Sequence, residues 1–153
     1  SVDEIKAKLA ENPGNPQPYF LMGEYHESNG QLLQALDQFI KGTVRFKNAN
    51  GYDPKKKYTG GHYRIGRVYA RLSKYNSAIV HLSKVVAMEP RELRASVLNY
   101  QFRETHYLLG ACYKETLDFK KAEYHFKHFM KLGGEDWRAL PHLAEIKKDT
   151  QTD

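Results

Sequence analysis

Three glycines, Gly23, Gly66 and Gly110, each stand twelve residues before an alanine: Ala35, Ala78 and Ala122. Four residues after each alanine comes a large apolar side chain, Phe39, Leu82 or Phe126, and three residues after each glycine comes a ring, His26, Tyr69 or Tyr113. A small residue where two helix backbones nearly touch, and bulky ones where the gap widens, is what close helix pairing requires. The glycines are 43 and 44 residues apart, so the pairing is repeated in register. A fixed internal spacing of this kind marks stacked repeats, because one such unit cannot bury its apolar face alone.

The periodicity along the chain agrees. Apolar residues recur at three- and four-residue spacings, as in Leu32, Leu36, Phe39, Ile40, Val44 and Phe46, and few stretches alternate as a strand would. Paired helices are predicted at 19–27 with 32–46, 62–72 with 75–88, and 104–115 with 119–132. Short polar turns join them: Ser28-Asn29-Gly30, Ser73-Lys74-Tyr75-Asn76 and Thr116-Leu117-Asp118. Short connections between amphipathic helices give antiparallel hairpins.

With these residues in place, the chain resembles the tetratricopeptide repeat (TPR) family. The middle repeat matches best, through Ile65-Gly66, Tyr69, Ala78, Leu82, Val85 and the closing Pro90. The third offers Leu109-Gly110, Tyr113, Ala122, Phe126 and Phe129, with Gly133-Gly134 where the proline is expected. The first offers Met22-Gly23, Ala35, Phe39 and Gly42, with His26 in place of the usual tyrosine. The resemblance implies an all-α, right-handed solenoid in which 16–47, 62–90 and 103–134 are the repeats. The family's basic unit is about 34 residues, so 48–61 and 91–102 read as insertions. The first is a loop by its Gly, Pro, Asn and Lys content, Gly60-Gly61 included. The second lacks breakers, and places Leu93, Val97, Tyr100, Tyr107 and Ala111 on one stripe of a helix that extends the next one forward, starting just after Pro90. Residues 1–12 read as the second helix of a partial preceding repeat. Residues 137–148 read as a capping helix carrying Leu140, Leu143 and Ile146, with Pro141 suited only to its first turn.

Composition narrows the function. At 41% hydrophobic and 27% charged residues, the 153-residue chain suits one ordered domain. Beginning at Ser1 rather than Met, it reads as a piece cut from a longer protein; its compartment is left open, with the cytoplasm slightly favoured over export by a signal sequence since removed. The lone Cys112 excludes an internal disulfide and a cysteine-built zinc site, and its apolar helical neighbours read as packing. No phosphate loop, GxSxG elbow or HExxH motif is present, so nothing supplies a nucleophile with a positioned base, and an enzyme or a cofactor is not expected. Of seven histidines, His125 and His128 share a helix face at a spacing of three. No Asp or Cys joins them on that face, and no metal is expected there. His26, His62 and His106 fall in slots for packing aromatics.

The formal charge of +6 is uneven. Lys41, Arg45, Lys47, Lys55, Lys56, Lys57, Arg64, Arg67, Arg71 and Lys74 face one acid, Asp53, while residues 1–40 are net acidic. In the resembled family one face of each first helix lines a concave groove. Here that face offers Phe20, Glu24 and Glu27, then Tyr63, Arg64, Arg67 and Arg71, then Tyr107, Ala111 and Lys114. Some family members grip a chaperone's terminal carboxylate with a lysine and asparagine clamp; the matching positions here are Phe20 and Glu24, so that ligand is not expected. The expectation is a protein-interaction scaffold. Phe20, Glu24, Tyr63, Arg64, Arg67, Arg71, Tyr107 and Lys114 would hold an acidic or apolar peptide of a partner, the rings standing clear of the hairpin packing. Two other readings remain: RNA or an anionic surface held by Lys55, Lys56 and Lys57, and self-association through the open N-terminal half-repeat.

Overall fold

The computed structural model of the protein describes residues 1–48, 60–90 and 97–151. Among these, the regular structure is eight helices: α1 (Val2–Glu11), α2 (Gln17–Ser28), α3 (Leu32–Asn48), α4 (Gly60–Arg71), α5 (Tyr75–Val86), α6 (Val97–Glu115), α7 (Phe119–Lys131) and α8 (Asp136–Thr150). The main packing partners are neighbours in sequence, α2 with α3, α4 with α5 and α6 with α7, and each hairpin then rests on the next through α3–α4, α5–α6 and α7–α8. That pattern is an α-solenoid of antiparallel helix hairpins. No helix among the described residues is long and apolar enough to cross a membrane.

The register read from the sequence is the register of closest approach. A Cβ on Gly66 would lie 2.6 Å from Leu82, one on Gly110 would lie 2.8 Å from Phe126, and one on Gly23 would enter the Phe39 ring. Ala35, Ala78 and Ala122 are completely buried beside them. The turns are equivalent as well. Gly30, Ser73 and Leu117 all have left-handed backbone, at φ 75, 57 and 66°. At each, the following amide returns to the helix five residues back: Gln31 to His26, Lys74 to Tyr69 and Asp118 to Tyr113, at 2.8–2.9 Å. This is the hydrogen-bond signature of a Schellman-type helix end, which favours glycine at the left-handed position.

Three apolar clusters fill the stack, and each spans a boundary between hairpins. Phe20, Ala35 and Phe39 meet Ile65 and Val68 of the next unit. Ala78, Leu82 and Val85 meet Phe102, Leu109 and Cys112. Ala122, Phe126 and Phe129 meet Ala139 and Ile146 of α8. Each large side chain so covered contributes roughly 1.5–3 kcal/mol, which makes the unit-to-unit joints as important as the hairpins.

Three details differ from the sequence reading. Gly60 and Gly61 are helical and buried, since α4 begins there and approaches α3 so closely that a Cβ on Gly61 would collide with Thr43. In α6 the buried side is Phe102, His106, Leu109 and Cys112, while Tyr100 of the expected stripe is about half exposed. The helix takes in 97–102, and Leu93 with the rest of 91–96 lies outside the described residues. Pro141 sits in the second turn of α8, where Leu140 is exposed and Ala139 and Ile146 carry the contact. The helix tolerates the proline because it costs one backbone hydrogen bond on an exposed side. At the other end, α1 has no buried residue and starts with a capping box between Ser1 and Glu4.

Candidate functional site

The face formed by α2, α4, α6 and α8 carries most of the residues expected to bind a partner, and it is built differently from the expectation. Phe20, Tyr63 and Tyr107 occupy equivalent places in successive units. A guanidinium from the following unit or helix covers two of them: Arg64 lies 5.2 Å from the Phe20 ring centre, and Arg138 lies 4.3 Å from that of Tyr107. Arg67 covers Tyr63 from the same helix at 5.2 Å. Phe20 and Tyr63 are 3% and 8% exposed, so these rings are core residues and not a free apolar surface. The reason is the stacking. The side of a first helix that points away from its own hairpin is the side on which the next unit lands.

The arginines are likewise engaged. Arg64 Nε donates to Glu24 Oε1 at 3.1 Å, and Arg67 holds Glu27 with two bonds, Nε to Oε2 at 2.9 Å and Nη2 to Oε1. Burial acts to lower the Arg67 pKa, but its bonds and attraction to Glu27 outweigh that and leave it above the ordinary value. Tyr63 beneath it is raised by burial, with Arg67 opposing. Arg71 is looser, about half exposed and 3.5 Å from Glu27 Oε2. The acidic first helix and the basic second one, separate in the sequence, are thus one inter-unit ion-pair row. The result is a face of alternating charge.

At the far end α8 closes the same face. Arg138 Nη1 donates to both Glu104 oxygens at 2.9–3.0 Å. Lys114 reaches Glu145 and donates to His142 Nδ1 at 2.8 Å, and His142 Nε2 bonds the Tyr107 hydroxyl at 3.1 Å. Burial, then the Lys114 charge, lowers the His142 pKa, so a neutral ring with its hydrogen on Nε2 satisfies both contacts. Tyr107 and Lys114 are therefore half-buried beneath the last helix. Lys55, Lys56 and Lys57 lie outside the described residues.

A second constellation was not anticipated. His106 is fully buried, and its Nδ1 lies 2.9 Å from His125 Nδ1. Its Nε2 meets Glu89 Oε1 and Oε2 at 3.1 and 3.2 Å, and His128 Nε2 lies 3.3 Å from the same Oε1. Burial, helped by the neighbouring imidazoles, pushes His106 down to about 3 and His125 down to about 4. Helix spacing alone hides this group, because Glu89 follows α5, His106 is on α6, and only His125 and His128 share α7. A signal was available: His62 and His81, a pair with Nδ1 atoms 3.1 Å apart, stand 44 residues before His106 and His125.

No protein-family profile matches the sequence, and no curated protein matches it in a sequence search. Solved structures do match in fold. A MamA fragment (41 to the end) from Desulfovibrio magneticus RS-1 superposes with a TM-score of 0.71 at 19% identity, covering 99% of this chain and 86% of that one. Another MamA crystal structure matches with a TM-score of 0.65 at 18% identity, over 86% of this chain and 66% of that one. The chain thus spans about two thirds of the length of that MamA chain. A kinesin-light-chain-like protein of Podosopora anserina with nearly identical TPR-like repeats gives a TM-score of 0.50 at 17% identity, over 99% of this chain and 68% of that one. The fold is a TPR-type solenoid. In that TPR-type frame α2, α4 and α6 are the first helices of successive hairpins, and α8 packs on α7 and α6 as a further first helix would.

Proposed function

We propose that the protein is an interaction scaffold whose first-helix face takes a peptide segment of a partner protein. The observation that carries this reading is the ion-pair row over the Phe20, Tyr63 and Tyr107 ladder. Its members are fixed in place from below, yet Arg64, Glu24 and Arg71 keep a quarter to a half of their side-chain surface in solvent. Such pre-ordered, partly exposed guanidinium groups bind a carboxylate with little further loss of freedom. Arg71 has the most to gain, since its bond to Glu27 is long. Phe20 and Tyr63 support the row, Arg67 is its anchor, and Tyr107 and Lys114 end it beneath α8. An extended peptide with acidic side chains is the ligand that suits this surface. The reading is non-enzymatic.

The test is selection from a peptide library, followed by titration. Peptides rich in acidic residues should be enriched, and Arg64→Glu with Arg71→Glu should weaken them about tenfold or more with helicity unchanged. Neutral or basic peptides that bind the double variant as well as the parent would defeat the reading. So would generic RNA that displaces them with a steep salt dependence, which would point instead to Lys55, Lys56 and Lys57.

A further inference from the structure

The geometry points to a divalent transition-metal site formed by Glu89, His106 and His128, where the second and third hairpins join. One ligand atom from each residue, a carboxylate oxygen and two imidazole nitrogens, lies within 4.8 Å of the others. A four-coordinate ion with bonds of about 2.0–2.1 Å needs neighbouring ligand atoms about 3.3 Å apart. The Glu89 oxygens stand 3.1–3.2 Å from His106 Nε2, and Oε1 stands 3.3 Å from His128 Nε2. Two imidazoles and one carboxylate suit zinc and its neighbours in the first transition row.

The surroundings support the assignment. His106 is held from behind by His125, whose Nδ1 faces His106 Nδ1 at 2.9 Å. Without an ion, His106 donates from Nε2 to Glu89 and accepts at Nδ1. With an ion on Nε2, the ring's hydrogen moves to Nδ1 and donates to His125, which turns acceptor through its other tautomer. Metal-bound histidines usually have such an outer partner. His125 is fixed by stacking on Tyr113, at 5.5 Å and 11°, and His128 stacks on Tyr124 at 5.9 Å and 21°. His106 is buried, whereas the side chains of Glu89 and His128 are 15% and 21% exposed, so an ion can enter and keep a water on its open side. The preceding unit supplies a built-in contrast. His62 and His81 repeat the imidazole pair, but the place of His128 is taken there by Lys84, whose ammonium opposes a cation.

The experiment is titration of the chelator-stripped chain with Zn2+ by calorimetry, with Co2+ as a spectroscopic substitute. One equivalent should bind. Co2+ should give visible absorption of four-coordinate type, and Zn2+ should raise the melting temperature. Glu89→Gln and His128→Gln should each lose affinity by about tenfold or more, while His81→Gln keeps it. Circular dichroism of each variant before titration separates loss of ligand from loss of fold, and the partly exposed Glu89 and His128 are chosen rather than the fully buried His106 so that folding survives. Absence of one-to-one binding by the parent chain, or undiminished binding by both variants, would overturn the site and leave a hydrogen-bonded histidine cluster in its place.

Discussion

Leu117 shows how a single position records the repeat. It occupies the left-handed turn slot that Gly30 fills in the first unit and Ser73 in the second, at φ 66°, with its side chain 72% exposed. A non-glycine residue there costs about 1–2 kcal/mol through crowding of Cβ against the backbone. Glycine removes that cost but adds chain entropy to the unfolded state. Leu117→Gly should therefore stabilise the fold by about 0.5–1 kcal/mol, measured as an increase in the urea midpoint with an unchanged slope. Residues of this kind also show what a sequence discloses. The pairs Gly23 with Phe39, Gly66 with Leu82 and Gly110 with Phe126 were legible because each lies within one hairpin, at a fixed distance along the chain. Phe20 reads as a free ring in the sequence because Arg64, Ile65 and Val68, which cover it, belong to the next unit, and no periodicity within one helix reveals that.

At the scale of elements, α6 is the joint of the molecule. Its buried side brings Phe102, Leu109 and Cys112 against α5, and it brings His106 between Glu89 and the histidines of α7. Burial also raises the Cys112 thiol to about 11, which keeps it protonated and inert. The neutral His106 and His125 rings give the joint a pH dependence. Their folded pKa values, about 3 and about 4, lie below the ordinary 6.5. Between those values and 6.5 the unfolded chain binds more protons than the folded one, so stability rises with pH through this window. The contribution is complete above about pH 6.5 and is lost as the pH falls towards 4 and 3. With a chelator present, acidification from pH 7.5 to 4.5 should lower the unfolding free energy by on the order of 5 kcal/mol, about half from each ring. His125→Gln should flatten that slope, as urea titrations at several pH values would record. The Glu89–His128 contact spans 39 residues and escaped the reading of α7 alone. The 44-residue recurrence of the histidine pair was on view in the sequence, yet it carries meaning only once the hairpins are stacked.

For the whole molecule, the opposite charges of the first 40 residues and the middle third find each other across the first joint. Glu24 and Glu27 of α2 take up Arg64, Arg67 and Arg71 of α4, and α8 repeats the arrangement through Arg138 on Glu104 and Lys114 on Glu145. The stack makes of them a row of ordered, mutually satisfied charges along one face. Under the proposed function, such a scaffold would recognise a partner by exchanging one carboxylate for another at the exposed arginines, with the aromatic ladder holding the register. The central claim is therefore about place, and backbone amide chemical-shift mapping with a library-selected acidic peptide tests it directly. The account predicts that the shifted amides trace α2, α4 and α6, centred on Glu24, Arg64 and Arg71. Shifts confined to α3, α5 and α7, or to the turns, would contradict it.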